Sequence, residues 1–133
     1  MIADTVTLRP DQITRADCLR QQITMTGLTK YNAGKTAPNI TGTRRILVPG
    51  QVEDDASILT ATDHIKTNLA LLNAARRANL DAISLYKPHP DVKAELRRGV
   101  FSDRQSAVLA DRVLTNINLG TLLTQVDEVW TMT

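Results

Sequence analysis

Residues 46–50 have the sequence Ile46-Leu47-Val48-Pro49-Gly50, a short apolar run that ends in a turn signal. Three consecutive aliphatic residues before Pro-Gly are typical of a strand that is buried on both faces of a sheet. A second run of this kind covers residues 81–86, and Pro88 and Pro90 end it, because proline cannot donate to a strand ladder. The sequence therefore predicts two strands in the interior of one sheet.

Helical periodicity appears between and around these strands. Apolar residues recur at helical spacing from Ile65 to Ala75, which predicts a helix that is capped by Thr62 or Asp63 and ends near Ala78. Further helices are predicted over residues 14–27, 92–98, 105–113 and 119–126, and a third strand over 128–132. Strands that alternate with helices indicate βαβ units. The predicted fold class is α/β, a partial Rossmann-like three-layer sandwich with a short parallel sheet.

Composition excludes several classes of function. The 133 residues suit one domain, and a net charge of +2 from 16 basic and 14 acidic residues is too balanced for a nucleic-acid binder. The single cysteine excludes an internal disulfide and fits a reducing compartment. The first ten residues do not resemble a secretory signal, and no apolar run approaches the roughly 18 residues that span a bilayer. We therefore expect a cytoplasmic protein.

An acidic segment follows the first predicted strand. Residues 50–57 have the sequence GQVEDDAS, in which Glu53, Asp54 and Asp55 are adjacent carboxylates that could accept hydrogen bonds from sugar hydroxyls. The alternative, which the spacing alone favours, is a solvated loop that caps the next helix. The chain has no glycine-rich phosphate cradle, so dinucleotide-binding and P-loop motifs are excluded.

A rigid basic loop follows the second predicted strand. Residues 86–92 have the sequence YKPHPDV, in which Lys87 offers a point charge suited to phosphate and His89 titrates near neutral pH. Together they could bind a phosphate and protonate a leaving group. A rigid loop with an incidental histidine is the alternative, and composition leaves both open. Two histidines and one cysteine without ligand spacing predict no metal site.

Four motifs, in order along the chain, carry a resemblance to a known family. Residues 48–58, with sequence VPGQVEDDASI, resemble the Gly-Gln-Val-Glu-Asp-Asp-Ala-Ser signature of capsule-polysaccharide biosynthesis proteins of the KpsC type. Residues 86–92 resemble that family's Lys-Pro-His-Pro-Asp-Val motif. Residues 27–32 and 126–133 are similar to two further motifs of the family. The resemblance covers roughly residues 15–133.

This resemblance implies a β-Kdo transferase with a GT-B-like fold of two Rossmann-type halves. Such enzymes move 3-deoxy-D-manno-oct-2-ulosonic acid from CMP-Kdo onto a glycolipid linker. The implied organisation is an N-terminal helix and connector over residues 1–43, then a Rossmann-like nucleotide-sugar-binding domain over 44–133 that is truncated at its C-terminus. We expect this fragment to be inactive alone. The alternative is a non-catalytic α/β nucleotide-binding or scaffold module.

The resemblance also implies site residues and partners. His89 is the expected catalytic residue, in contact with the CMP phosphate. The expected donor-binding residues are Gln51, Glu53, Asp54, Ser57, Lys87 and His89. The expected partners are the CMP-sugar donor, a glycolipid acceptor at the inner membrane surface, and capsule assembly and export proteins, with no nucleic acid. We expect no cofactor besides the substrate CMP-Kdo, and a cytoplasmic location peripheral to the inner membrane.

Overall fold

The computed structural model describes residues 7–27, 34–62, 64–94, 99 and 103–133. The helices are α1 (Pro10–Thr26), α2 (Ala56–Ala61), α3 (Asn68–Ala78), α4 (Pro90–Lys93), α5 (Asp103–Leu109) and α6 (Leu119–Leu123). The strands are β1 (Arg45–Pro49), β2 (Ile83–Lys87), β3 (Arg112–Val113) and β4 (Glu128–Val129). Most of the 27–32 motif, the second half of the helix predicted over 92–98, and the proposed cap Asp63 lie outside the described residues.

The described strands form one parallel sheet in the order β3-β2-β1-β4. β1 and β2 pair along their whole length, from Arg45 opposite Ile83 to Pro49 opposite Lys87. Their middle residues are buried, as continuous apolar runs in the centre of a parallel sheet should be. The predicted α/β class and the two predicted central strands are confirmed.

Helices cover both faces of this sheet. Leu47 and Leu85 belong to a buried cluster on one face that includes Leu122 of α6. Their neighbours Val48 and Tyr86 belong to a second cluster, on the opposite face, with apolar residues of α3. Because side chains alternate along a strand, the two clusters lie on opposite sides of the sheet. The predicted three-layer arrangement is confirmed.

The prediction of three strands was wrong, because the described residues form four. The helix predicted over 105–113 ends at Leu109, and Arg112 and Val113 form β3 beside Leu85 and Tyr86 of β2. β3 is two residues long, too short to show a strand pattern in the sequence. Backbone hydrogen bonds to β2 fix it, including one of 2.7 Å from the Leu114 amide to the Tyr86 carbonyl.

Two helix starts also differ from the prediction. α3 begins at Asn68, with the Thr67 hydroxyl accepting from the Ala70 amide at 3.2 Å, and not at Thr62 or Asp63. Residues Ala56–Ala61 form a separate helix, α2, which was not predicted from the sequence. α1 begins at Pro10, four residues before the predicted cap Thr14, whose hydroxyl donates to the Pro10 carbonyl. Proline suits the first turn of a helix because its missing amide proton is not needed there.

α1 stands apart in its packing, since none of its residues is buried. Gly27 ends the helix in the left-handed conformation, with φ of 61°, as predicted. Among the described residues, no helix has both the length and the apolar character needed to cross a membrane.

Candidate functional site

The loops that follow β1 and β2 meet at the carboxyl edge of the sheet. The Gly50 amide donates to the Lys87 carbonyl at 2.7 Å, which continues the pairing of the two strands by one residue. Ligands of open α/β sheets bind outside this edge. The acidic and the basic loop therefore share one edge of the sheet.

Gly50 allows the two loops to approach this closely. A Cβ atom at this position would lie 2.9 Å from the His89 amide nitrogen and 2.9 Å from the Tyr86 hydroxyl. Contacts under 3.0 Å with a backbone atom force the backbone to move. Any side chain at position 50 would therefore separate the acidic loop from the loop that carries His89.

His89 is held in a defined orientation at the start of α4. Its Nδ1 atom accepts a hydrogen bond of 3.2 Å from the Asp91 amide, so the side chain caps the helix. A nitrogen that accepts an N–H bond carries no proton, and the neutral imidazole therefore holds its proton on Nε2. The side chain is 21% exposed, so a ligand can reach it. In this tautomer His89 offers a hydrogen-bond donor.

Lys87 and Tyr86 stand in a less polar environment before His89. Burial lowers the pKa of the Lys87 ammonium, and no carboxylate among the described residues pairs with it. Burial also raises the pKa of the Tyr86 hydroxyl, and the charge of Glu53 raises it further. An anionic ligand would compensate the partly desolvated ammonium, so Lys87 suits a phosphate group.

Glu53 lies at the N-terminus of α3. Its Oε1 atom accepts from the Asn68 amide at 2.7 Å, while Thr67 accepts from the Ala70 amide. Helix N-termini attract anions, and in dinucleotide-binding folds the first such helix holds the phosphate. Here Glu53, a carboxylate of the chain itself, accepts the hydrogen bond from a helix amide. The loop of Lys87 and His89 is therefore the better phosphate site.

Gln51 uses both its backbone and its side chain within the protein. Its side-chain oxygen accepts from the Met132 amide at 2.7 Å, and its side-chain nitrogen donates to the Thr133 hydroxyl at 3.1 Å. Its backbone amide donates to the side chain of Asn68 at 2.7 Å. Gln51 therefore connects the acidic loop to the segment after β4, and its predicted contact with the donor stays a prediction.

Asp54 and Ser57 lie in the exposed part of the acidic segment. The Ser57 hydroxyl donates to Asp55 at 2.8 Å, and the same carboxylate accepts from the Ser57 amide as the cap of α2. The alternative of a helix-capping loop is therefore confirmed for Asp55. Donor contacts of Asp54 and Ser57 stay predictions.

Asn68 was not predicted as a site residue from the sequence. Asn68 is 0% exposed and connects the acidic loop to the first turn of α3. An asparagine one residue after a threonine that can cap a helix was the signal available in the sequence. A groove of about 590 Å³ between α3 and α5, lined in part by Leu69, Arg104 and Val108, was also not predicted from the sequence. It lies in the helical layer and not between the two loops.

The sequence and the fold match a known class of protein. The sequence model of the family described as capsule polysaccharide biosynthesis protein matches residues 11–133, and the chain belongs to this family. Among curated relatives, the capsule polysaccharide modification protein LipA of Neisseria meningitidis serogroup B is 43% identical over 118 residues. The lipopolysaccharide-processing protein LpsZ of Rhizobium meliloti is 36% identical over 132 residues. The chain spans 17% of LipA and 30% of LpsZ, while these matches cover 86% and 96% of the chain.

Two solved structures show the same fold. KpsC of Thermosulfurimonas dismutans, titled β-Kdo 2,7 transferase, has a TM-score of 0.72 and 30% identity over 92% of the chain, which covers 36% of that structure. A second KpsC structure from this organism, titled β-Kdo 2,4 transferase, has a TM-score of 0.67 and 25% identity, with 39% of that structure covered. The resemblance to KpsC-type proteins and the Rossmann-like fold are confirmed.

Proposed function

We propose that this chain forms the CMP-Kdo-binding part of a β-Kdo glycosyltransferase that builds the glycolipid linker of a capsule polysaccharide. The observation that carries the proposal is the meeting of the two loops, in which the Gly50 amide binds the Lys87 carbonyl. This contact brings the segment of Glu53 next to that of His89 at the edge where α/β proteins bind ligands. The likeness to two Kdo transferase structures supports the choice of donor.

The residues of the two loops have distinct roles in this proposal. Lys87 and the Nε2–H group of His89 bind the phosphate of CMP and stabilise it as it leaves the anomeric carbon of Kdo. Gln51, Glu53, Asp54 and Ser57 line the donor pocket, and their amide, carboxylate and hydroxyl groups are of the types that bind the polar groups of a sugar. In the transfer, the bond from the anomeric carbon to the phosphate oxygen breaks, the oxygen of an acceptor hydroxyl bonds to that carbon, and the hydroxyl proton is released to solvent. No atom changes its oxidation state, so the reaction needs no redox cofactor. In this scheme the chain binds no cofactor besides its substrate.

The partners follow from the same reaction. The donor is a CMP-sugar and the acceptor a glycolipid at the inner surface of the membrane, where capsule assembly and export proteins also act. The acceptor is not expected to bind the described residues alone, because the chain covers 36% of the solved transferase. We therefore expect the 133-residue chain to bind the donor without transferring Kdo.

Titration with nucleotides tests the proposal. CMP, UMP and AMP would be added to the chain and followed by amide NMR or calorimetry. We expect CMP to bind weakly and the other two more weakly, with signals of residues 50–57 and 86–92 shifting first. An equal response to all three, or none, would contradict a CMP-sugar site and would favour a scaffold module. Kdo transfer from CMP-Kdo by the chain alone would contradict the expectation that the chain binds the donor without transferring Kdo.

A further inference from the structure

Asn68 pairs with the backbone of the acidic loop in both directions. Its side-chain oxygen accepts from the Gln51 amide at 2.7 Å, and its side-chain nitrogen donates to the Gln51 carbonyl at 2.8 Å. The residue is 0% exposed, so water cannot replace either bond. The Gln51 amide needs an acceptor and the Gln51 carbonyl needs a donor, so only a side chain that both donates and accepts can pair with the two. Asn68 therefore bonds to Gln51 as the backbone of a neighbouring strand would.

The same residue reaches two further parts of the carboxyl edge. Its side-chain nitrogen also donates to the Gly99 carbonyl at 3.3 Å, and its backbone amide donates to Glu53 at 2.7 Å. A Cβ atom at position 99 would lie 2.7 Å from that side-chain nitrogen, so the contact is closely packed. A neutral amide is also favourable at position 68, because an aspartate there would put a second negative charge close to Glu53.

Gln51 extends this network to the last described segment. Its side chain binds the Met132 amide at 2.7 Å and the Thr133 hydroxyl at 3.1 Å. Asn68 therefore fixes a residue that in turn holds the chain after β4. The acidic loop, the start of α3, Gly99 and residues 132–133 are connected through Asn68 and Gln51.

We propose that Asn68 is a positioning residue of the ligand site, which sets the acidic loop and residues 132–133 relative to His89 without touching the ligand. The inference rests on the proposed function for its ligand, CMP. Because Asn68 orders the groups around the site, its loss raises the free-energy cost of arranging them when CMP binds. A residue that only stabilises the fold would not have this effect.

The chain offers a matched control on the same helix. Asn79 is 5% exposed, and its side-chain nitrogen donates to the Ala75 carbonyl at 2.9 Å, but it lies at the opposite end of α3. Asn68→Ala and Asn79→Ala both remove a buried amide, and both are expected to lower the melting temperature. Asn68→Asp provides a third variant, which keeps the acceptor for the Gln51 amide and loses the donor.

Two measurements on these variants decide the inference. We expect Asn68→Ala to raise the CMP dissociation constant about tenfold and Asn79→Ala to leave it unchanged. Asn68→Asp should raise it at least as much as Asn68→Ala, because it loses the donor to the Gln51 carbonyl and adds a negative charge close to Glu53. We also expect faster hydrogen exchange at the Gln51 and Met132 amides in the two Asn68 variants only. Unchanged CMP affinity in both Asn68 variants, or an equal loss in Asn79→Ala, would overturn the inference. Should Asn68→Ala not fold, Asn68→Asp decides by the same criteria.

The exchange measurement separates this inference from the proposed function. If the unmodified chain does not bind CMP, the proposed function fails, and exchange alone decides the role of Asn68. Faster exchange at Gln51 and Met132 in Asn68→Asp, with unchanged exchange in Asn79→Ala, would then support the positioning role. Unchanged exchange at both amides would reject it.

Discussion

At the scale of single residues, His89 has two roles that one substitution can separate. Its Nδ1 atom caps α4 through the Asp91 amide, while its Nε2–H group is the proposed donor to the CMP phosphate. In His89→Asn, the side-chain oxygen can accept from the same amide, since asparagine is a good helix cap. The shorter side chain cannot present the Nε2–H group. We expect CMP affinity to fall by about 1.5–3 kcal/mol, the value of a hydrogen bond to a charged group, with stability nearly unchanged.

Calorimetry with CMP and thermal unfolding would measure the two effects. His89→Ala is the comparison, because it removes the cap as well and should cost about 1 kcal/mol of stability in addition. Full CMP affinity in His89→Asn would show that the imidazole does not contact the nucleotide.

The residues of the site differ in how far sequence could identify them. Lys87 ends β2 and His89 follows it, and this strand is visible as an apolar run, so topology alone predicts where the two residues lie. Asn68 cannot be found in this way, because its role depends on how closely α3 approaches the acidic loop. Gln51 was predicted to contact the donor, yet its side chain binds residues 132 and 133, far along the chain.

At the scale of elements, Asp111 joins α3, β2 and β3. Its carboxylate accepts from the Ser84 amide at 2.8 Å and from both terminal nitrogens of Arg76, at 2.9 and 3.1 Å. Asp111→Ala would leave the Ser84 amide without its partner, which costs about 1–3 kcal/mol. We expect a lower free energy of unfolding by that amount, measured by urea titration.

Asp17 in α1 provides the control for this substitution. It forms an exposed ion pair with Arg20 at 3.1 Å, and exposed pairs contribute about 0–1 kcal/mol. Asp17→Ala should therefore leave stability almost unchanged. A similar loss in both variants would mean that Asp111 acts only as a surface charge.

The elements show why part of the fold was predictable. β1 and β2 lie in the centre of the sheet, so both of their faces are apolar and the pattern is visible in sequence. β3 and β4 are two-residue edge strands in the described sheet, and they depend on backbone bonds to β2 and β1. Because backbone hydrogen bonds do not depend on the type of side chain, they leave no pattern in the sequence. β4 was predicted from a longer run over 128–132, whereas β3 was mistaken for the end of a helix.

At the scale of the whole molecule, ion pairs hold the amino end of the sheet together. Arg45 binds Asp127 at 3.0 Å, Arg44 binds Glu128, and Arg76 binds Asp111. The hydrogen bond from Arg45 holds the pKa of Asp127 below its usual value, and that from Arg44 does the same for Glu128. Burial alone would raise the pKa of Asp111, but the Ser84 amide and Arg76 outweigh it and lower that pKa.

These shifts give the direction of a pH dependence. A carboxylate with a lowered pKa in the folded state stabilises it above the pKa of the unfolded chain, and this contribution disappears as pH falls through the folded value. The melting temperature should therefore be level near neutral pH and fall below about pH 4. Circular dichroism over a pH series would measure it. Asp111→Ala should show a shallower fall, and an equally steep one would contradict the role assigned to Asp111.

The position of β4 has a further consequence for how the chain folds. β1, α2, α3 and β2 are consecutive, so they can form one unit through local contacts. β4 pairs with β1 through residues that are 82 positions apart in sequence, as in the bond from the Arg45 amide to Asp127. Closing so long a loop carries a larger entropy cost than forming the local unit. The central pair should thus fold early, and the bond from Gln51 to Met132, 81 positions apart, should form among the last. A ligand site that includes this bond would be completed only at the end of folding.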